Sequence, residues 1–226
     1  MINEFIFILH VIFVTATLLL SIPFGVAGLT AVITVQAIIA NIFVVKQTVL
    51  FGLMTTCAEA FTVGSTLGLA FITQNYGTQK AAKTLAITLL NLIFWGCVTK
   101  IHLSYAPLGQ DGIHDACLSL FSHAPRIIIA SFCAYAIAET CNYLIVAALK
   151  RWTGSFRPMI CTSFAALVSQ LIDTTLFAFL ALKGIVADLT HVIMACYAIK
   201  VIAILCINPF LYCTRFLFKL PASHDS

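Results

Sequence analysis

Apolar residues in this chain are grouped in long blocks separated by short polar punctuation. Seven blocks can be drawn, at about residues 5–26, 27–45, 50–73, 81–102, 126–149, 160–182 and 188–218. Each comes close to or exceeds the roughly 20 residues with which an α-helix crosses a bilayer. The pattern therefore predicts helices throughout. Lys46 closes the second block. Gly77, within Gln74-Asn75-Tyr76-Gly77-Thr78-Gln79-Lys80, stops the third. The longest loop is predicted over residues 104–125. Lys150-Arg151 closes the fifth block, Gly184 ends the sixth, and Pro209 is expected to bend the seventh. The first block has the length of a signal peptide core, but its leading residues, Met-Ile-Asn-Glu, include no Lys or Arg, so it is read as a retained helix.

Composition agrees. The 226 residues are 62% hydrophobic and 9% charged, with a mean hydropathy of +1.07. That excludes a soluble globular domain, and the ten-residue alternation of an outer-membrane barrel is absent. The net charge of +4 is spread singly between blocks, which is not the clustered basic surface of a nucleic-acid binder. If the last six blocks alternate across the membrane, Lys80, Lys83, Lys150, Arg151, Arg157, Arg215 and Lys219 share one side, against Lys46, Lys100 and Lys183 on the other. The positive-inside rule then places the C-terminus in the cytoplasm. The nine Cys are scattered and form no CxxC pair, so neither a zinc site nor a redox motif is expected. His114 with Asp111 and Asp115 reads as a solvated loop rather than a metal site. No cofactor is expected.

Polar groups inside the blocks change the picture. A carboxylate at bilayer depth costs on the order of 2.5–3.5 kcal/mol on insertion scales, so it is kept for a partner, a cavity or a substrate. In the sixth block Gln170, Asp173 and Thr174 lie at i, i+3 and i+4, on one helical face, with Phe177 one turn further. In the fifth, Ser131, Tyr135, Glu139 and Asn142 form a stripe, and Arg126 stands at its mouth. In the seventh, Tyr197 and Lys200 are i and i+3. Glu59, Thr62 and Thr66 share a face in the third block; there Glu59 is open to pairing with Lys46 or to facing water. Lys200 has two open uses, neutralising Asp173 or Glu139, or meeting a ligand. Arg126 can equally snorkel to the interface. Sequences for a nucleotide-binding P-loop, a zinc-protease HExxH, a GxSxG esterase elbow and a TVGYG filter are all missing, which points away from an enzyme, an ATPase or a channel of those types.

Ser169-Gln170-Leu171-Ile172-Asp173-Thr174 resembles the SQxxDT signature of the queuosine-precursor transporters, also called the vitamin uptake transporter family. Further pieces keep the same order: Asn41 and Lys46; Tyr76-Gly77 with Ala81; Arg126, Ala130-Ser131, Ala134-Tyr135 and Glu139-x-x-Asn142; then Tyr197-x-x-Lys200, Pro209 and Tyr212. The chain departs from the family where Glu139 replaces the usual Gln and Asn142 the usual Asp. It also departs at Ala70, Gln74 and Ala165-Ala166.

The resemblance implies an all-α integral membrane protein. Its core would be six helices like the substrate-binding components of energy-coupling-factor (ECF) importers, over residues 27–219, with an extra helix at 1–26 and a cytoplasmic tail at 220–226. The implied activity is import of a 7-deazaguanine, either queuine or the cyano- or aminomethyl-deazaguanine, across a bacterial inner membrane for tRNA modification. The implied site is Arg126, Tyr135, Glu139, Asn142, Gln170, Asp173, Thr174, Phe177, Tyr197 and Lys200. The partners are the small-molecule base and the lipid bilayer, with no nucleic acid; a homo-oligomer is compatible with this picture. Two alternatives stay open: a substrate-binding subunit of an ATP-driven vitamin importer, and an ion-coupled carrier of another small vitamin.

Overall fold

The computed structural model describes residues 2–108, 112–153 and 158–202; the side chains of residues 74, 139, 143, 146, 147, 150–153 and 158–163 lie outside that description. The helices are α1 (Ile2–Ser21), α2 (Gly25–Phe43), α3 (Glu59–Tyr76), α4 (Thr78–His102), α5 (Gly112–Phe121), α6 (Ala124–Thr153) and α7 (Pro158–Phe177). A π-helical turn, Ala178–Leu182, continues α7, and α8 follows at Leu189–Ile202. Among the described residues, four segments are long and apolar enough to cross a membrane: Ile2–Phe43, Thr78–His102, Gly112–Asn142 and Phe164–Leu182. The apolar helices Glu59–Thr73 and Leu189–Ile202 are shorter. This is a multi-pass, helical membrane protein.

Side-chain contacts fix the directions of the helices. Asn3 and Glu4, at the start of α1, hydrogen-bond to Val49 and Phe51, just past the end of α2. Hence α1 and α2 form an antiparallel hairpin rather than one long span. Its corner is a short 3-10 turn holding Pro23, followed by Gly25 at φ +64°, a conformation that glycine adopts at little cost. On α3, Phe61 meets His10, Gly64 meets Val14, and Gly68 meets Leu18, so α3 runs parallel to α1. Thr30 with Thr84 (2.8 Å) and Thr34 with Thr88 (3.0 Å) are hydroxyl–hydroxyl bonds that set α4 parallel to α2. Such small and hydroxylated side chains let membrane helices approach closely and pair polar groups across the contact.

Two expectations are corrected. Residues 50–58 do not begin the third helix. Strands β1 (Gln47–Leu50) and β2 (Leu53–Thr56) pair antiparallel, with Leu50 opposite Leu53. The two turn residues, Phe51 and Gly52, both have positive φ, +52° and +80°. That is the two-residue hairpin turn whose twist suits the flanking strands, and Thr48, Val49, Thr55 and Thr56 are β-branched residues that favour a strand. Among the described residues, the regular structure is therefore helical except for this hairpin. The second correction is the predicted loop over 104–125, which contains α5; its Phe121 packs edge-on against Trp95 of α4. Asp188 caps α8: its carboxylate accepts the His191 backbone N–H at 3.0 Å, which holds it below the ordinary carboxylate range. The expected bend at Pro209 falls outside the described residues.

Two apolar clusters hold the helices together. One joins α1–α4 around Leu29, Ile33 and Ile72. The other joins the end of α2 to α6, the π turn and α8 around Ile127, Leu182 and Val192. Gly64 is the tightest point of the first half, because a Cβ there would lie 2.2 Å from Val14 Cγ1 and 2.6 Å from Gln36 Oε1. Gly64→Ala should lower stability by about 1–3 kcal/mol, the usual cost of overpacking. Val14→Ala in the same chain should recover part of it, whereas Gly112→Ala, with open space around it, should change little. Thermal unfolding of the detergent-purified variants checks all three.

Candidate functional site

Between the two apolar clusters lies a cavity of about 740 Å³, within the roughly 300–1,000 Å³ range of small-molecule pockets. Its walls come from α2, α3, α4, α6, α7 and α8. Of the predicted residues, Tyr135 and Asn142 of α6, Gln170, Asp173, Thr174 and Phe177 of α7, and Lys200 of α8 all line it. Three successive helices thus bring their polar stripes to one hollow.

The charges are arranged unequally. Lys200 Nζ donates to Asp173 Oδ2 at 2.7 Å, and both side chains are only 13% and 21% exposed. This ion pair ties α8 to α7 along the cavity wall. Glu59, from the first turn of α3, also lines the cavity and is 6% exposed. Its Oε1 accepts the Thr56 hydroxyl at 3.1 Å and the Cys196 thiol at 2.9 Å. Neither use suggested for Glu59 by the sequence, pairing with Lys46 or facing bulk water, describes this setting. The periodicity of Glu59, Thr62 and Thr66 had placed them on one face, and all three line the cavity. What the spacing alone did not give was that this face meets the stripes of α6–α8.

On residues lining the cavity, five buried oxygens have no hydrogen-bond partner among the described residues: Asn41 Oδ1, Glu59 Oε2, Ser65 Oγ, Asn142 Oδ1 and Thr174 Oγ1. Buried polar atoms are usually satisfied, so a cluster of exceptions around one hollow marks a place for a polar guest. Asn41 and Ser65 were not singled out as site residues, and a lone amide or hydroxyl in an apolar block gives little by which to find it. The surface offers carboxylates, an ammonium and amides for a polar edge, with Tyr135 and Phe177 for ring faces.

Two predicted site residues are engaged elsewhere. Arg126 is exposed at the start of α6, where its guanidinium donates to the Leu180 carbonyl at 2.7 Å and the Lys183 carbonyl at 2.8 Å. It satisfies carbonyls freed where the π turn ends α7. Tyr197 donates to the Leu167 carbonyl at 3.3 Å, bracing α8 on α7. Neither is on the cavity wall. The Glu139 side chain lies outside the described residues. No group of metal-ligating side chains occurs among the described residues. A second groove, of about 700 Å³, runs between α2 and α4. Its hydroxyls Thr30, Thr34 and Thr84 are already paired, and its remaining wall is mostly apolar.

Residues 58–214 match the family model described as "Putative vitamin uptake transporter". The chain is also 30% identical, over 198 residues, to the "Probable queuosine precursor transporter" of Bacillus subtilis (strain 168), an alignment covering 85% of either chain. No solved structure matches it.

The ion pair generates a stability prediction. Lys200→Met alone should cost about 3 kcal/mol, because Asp173 is left charged in the interior without its cation. Adding Asp173→Asn should recover at least half of that loss in thermal unfolding. An equal loss in the single and double variants would show that the two groups do not stabilise one another.

Proposed function

The chain belongs to the vitamin uptake transporter family, and from that premise we propose that it imports a 7-deazaguanine precursor of queuosine, held in the cavity between α3 and α7–α8. It is a membrane transporter for a small molecule, not an enzyme. The observation that carries the substrate reading is that five buried oxygens without a partner among the described residues belong to residues lining one hollow, which also presents charged and aromatic groups. The named relative in Bacillus subtilis supports the substrate class.

A deazaguanine offers a flat bicyclic ring, a carbonyl and an edge of adjacent N–H donors. In this proposal Gln170 or Asn142 donates to the carbonyl, since an amide side chain can both give and accept. Tyr135 and Phe177 cover the ring faces. Asp173 and Glu139 are acidic groups for the donor edge, Thr174 adds a hydroxyl, and Lys200 pairs with Asp173 and orients it. Tyr197 and Arg126 act at one remove, by holding α8 and the end of α7 that frame the cavity. In this reading residues 27–219 are the transporter core of the ECF substrate-component type, its six helices including α2–α4 and α6–α8 with the short α5 between them, and residues 1–26 are an addition whose helix α1 packs along α3. The basic residues at the α3–α4 and α6–α7 connections face the cytoplasm of a bacterial inner membrane, as do the C-terminus and the tail at 220–226. The β1–β2 hairpin and α5 face outward.

The test is a queuosine assay on tRNA from cells unable to make the precursor, with and without this gene, each fed queuine, the cyano base or the aminomethyl base at low concentration. At least one base should restore queuosine only when the gene is present. Restoration to the same level without the gene, with the protein verified in the membrane, would overturn the proposal. Gln170→Leu should lower uptake about tenfold, the effect of one lost hydrogen bond to ligand, with membrane insertion unchanged. Uptake by the purified protein in liposomes would distinguish a self-sufficient carrier from a subunit that needs an ATP-driven motor.

A further inference from the structure

We infer that Glu59 is the carboxylate whose open oxygen, Oε2, takes the exocyclic amine of the ligand, and so the residue that makes the cavity prefer an aminopyrimidinone edge to the same ring lacking that amine. This rests on the proposed substrate class but reassigns the grip to α3. The acids suggested by the sequence lay on α6 and α7.

Among the described residues, the charged side chains on the cavity wall are Glu59, Asp173 and Lys200. Asp173 is engaged by Lys200 at 2.7 Å, across the contact between α7 and α8. Glu59 differs. Its Oε1 receives two donors, the Thr56 hydroxyl and the Cys196 thiol, from the end of β2 and from α8. Those two bonds fix the plane of the carboxyl group. Its Oε2 is buried and has no partner among the described residues. The group is 94% buried and sits on the wall of the cavity. A buried acceptor oxygen held in place, with no donor among the described residues, is pre-arranged for a donor that arrives with the ligand.

The geometry also says how many donors fit. Oε1 already takes two donors, from Thr56 and Cys196, which uses both of its lone pairs. Oε2 is left for one ligand N–H, and the exocyclic amine of a deazaguanine supplies it. A deazahypoxanthine keeps the ring, the carbonyl and N1–H but loses the amine. Oε2 then stays unsatisfied, and a site built to hydrogen-bond a group discriminates strongly against the analogue that lacks it.

The experiment compares binding of 7-deazaguanine and 7-deazahypoxanthine to the full-length protein in detergent or nanodiscs, by calorimetry. The wild type should prefer 7-deazaguanine by at least a hundredfold. In Glu59→Gln, the Thr56 and Cys196 donors keep the amide oxygen at the Oε1 position. That turns the amide nitrogen, a donor, toward the ligand amine. The preference should fall at least tenfold, mostly through weaker 7-deazaguanine binding. Glu59→Asp keeps the charge but withdraws it by one methylene, and should also reduce the ratio; it decides the matter if Glu59→Gln does not fold. A wild-type ratio retained in either folded variant would overturn the assignment while leaving the substrate proposal standing. Absence of 7-deazaguanine binding by the folded wild type would instead remove the substrate proposal, and this inference with it.

Discussion

Lys200 and Asp173 lie 2.7 Å apart on neighbouring helices, mostly shielded from solvent. In a bundle that crosses a bilayer, either charge alone would be expensive, and the pair is tolerable because each removes most of the cost of the other. The consequence reaches beyond the two residues. It fixes α8 against α7, holds the wall on which Gln170, Thr174 and Phe177 sit, and leaves Glu59 on the opposite helix as a carboxyl with one oxygen uncommitted. The electrostatics of the cavity follow from that asymmetry, one matched acid and one open acid.

Packing keeps the asymmetry in place. The α1–α4 half is drawn close by Gly64, Gly68 and the two threonine pairs, and the α6–α8 half by the alanines of α6 and of the π turn around Ile127 and Leu182. The polar hollow lies where these two dry clusters meet. On one rim, the π turn loosens the regular ladder of α7, and Arg126 satisfies the freed carbonyls of Leu180 and Lys183. Such turns recur beside functional sites. Here the turn brings Ala178 and Leu182 to the cavity wall.

Much of this was legible in the residues. The apolar blocks marked the long helices, because the bilayer leaves the backbone little choice. The stripe Gln170, Asp173, Thr174 pointed inward for the reason given at the outset, that such groups are costly anywhere else. The β1–β2 hairpin was hidden because Phe51-Gly52 sits inside an apolar block and lacks the Asn or Asp that usually announces such a turn. The short helix α5 was hidden because ten residues flanked by Gly and Pro read as a loop. Glu59 was visible as a buried acid, but its neighbours, Thr56 and Cys196, are brought to it by a hairpin and by a helix 137 residues away. Periodicity reports which face of its own helix a residue occupies; it says nothing of what the fold sets opposite. Arg126 illustrates the same limit, since its carbonyl partners are 54 and 57 residues distant.

The central claim is that one hollow, between α3 and α7–α8, holds the transported base. An experimental structure of the protein with 7-cyano-7-deazaguanine bound tests it most directly. The account predicts ring density inside that cavity, with its donor edge toward Glu59 and its carbonyl toward Gln170 or Asn142. Density in the α2–α4 groove, or at the rim beside Arg126, with the cavity unfilled, would contradict it.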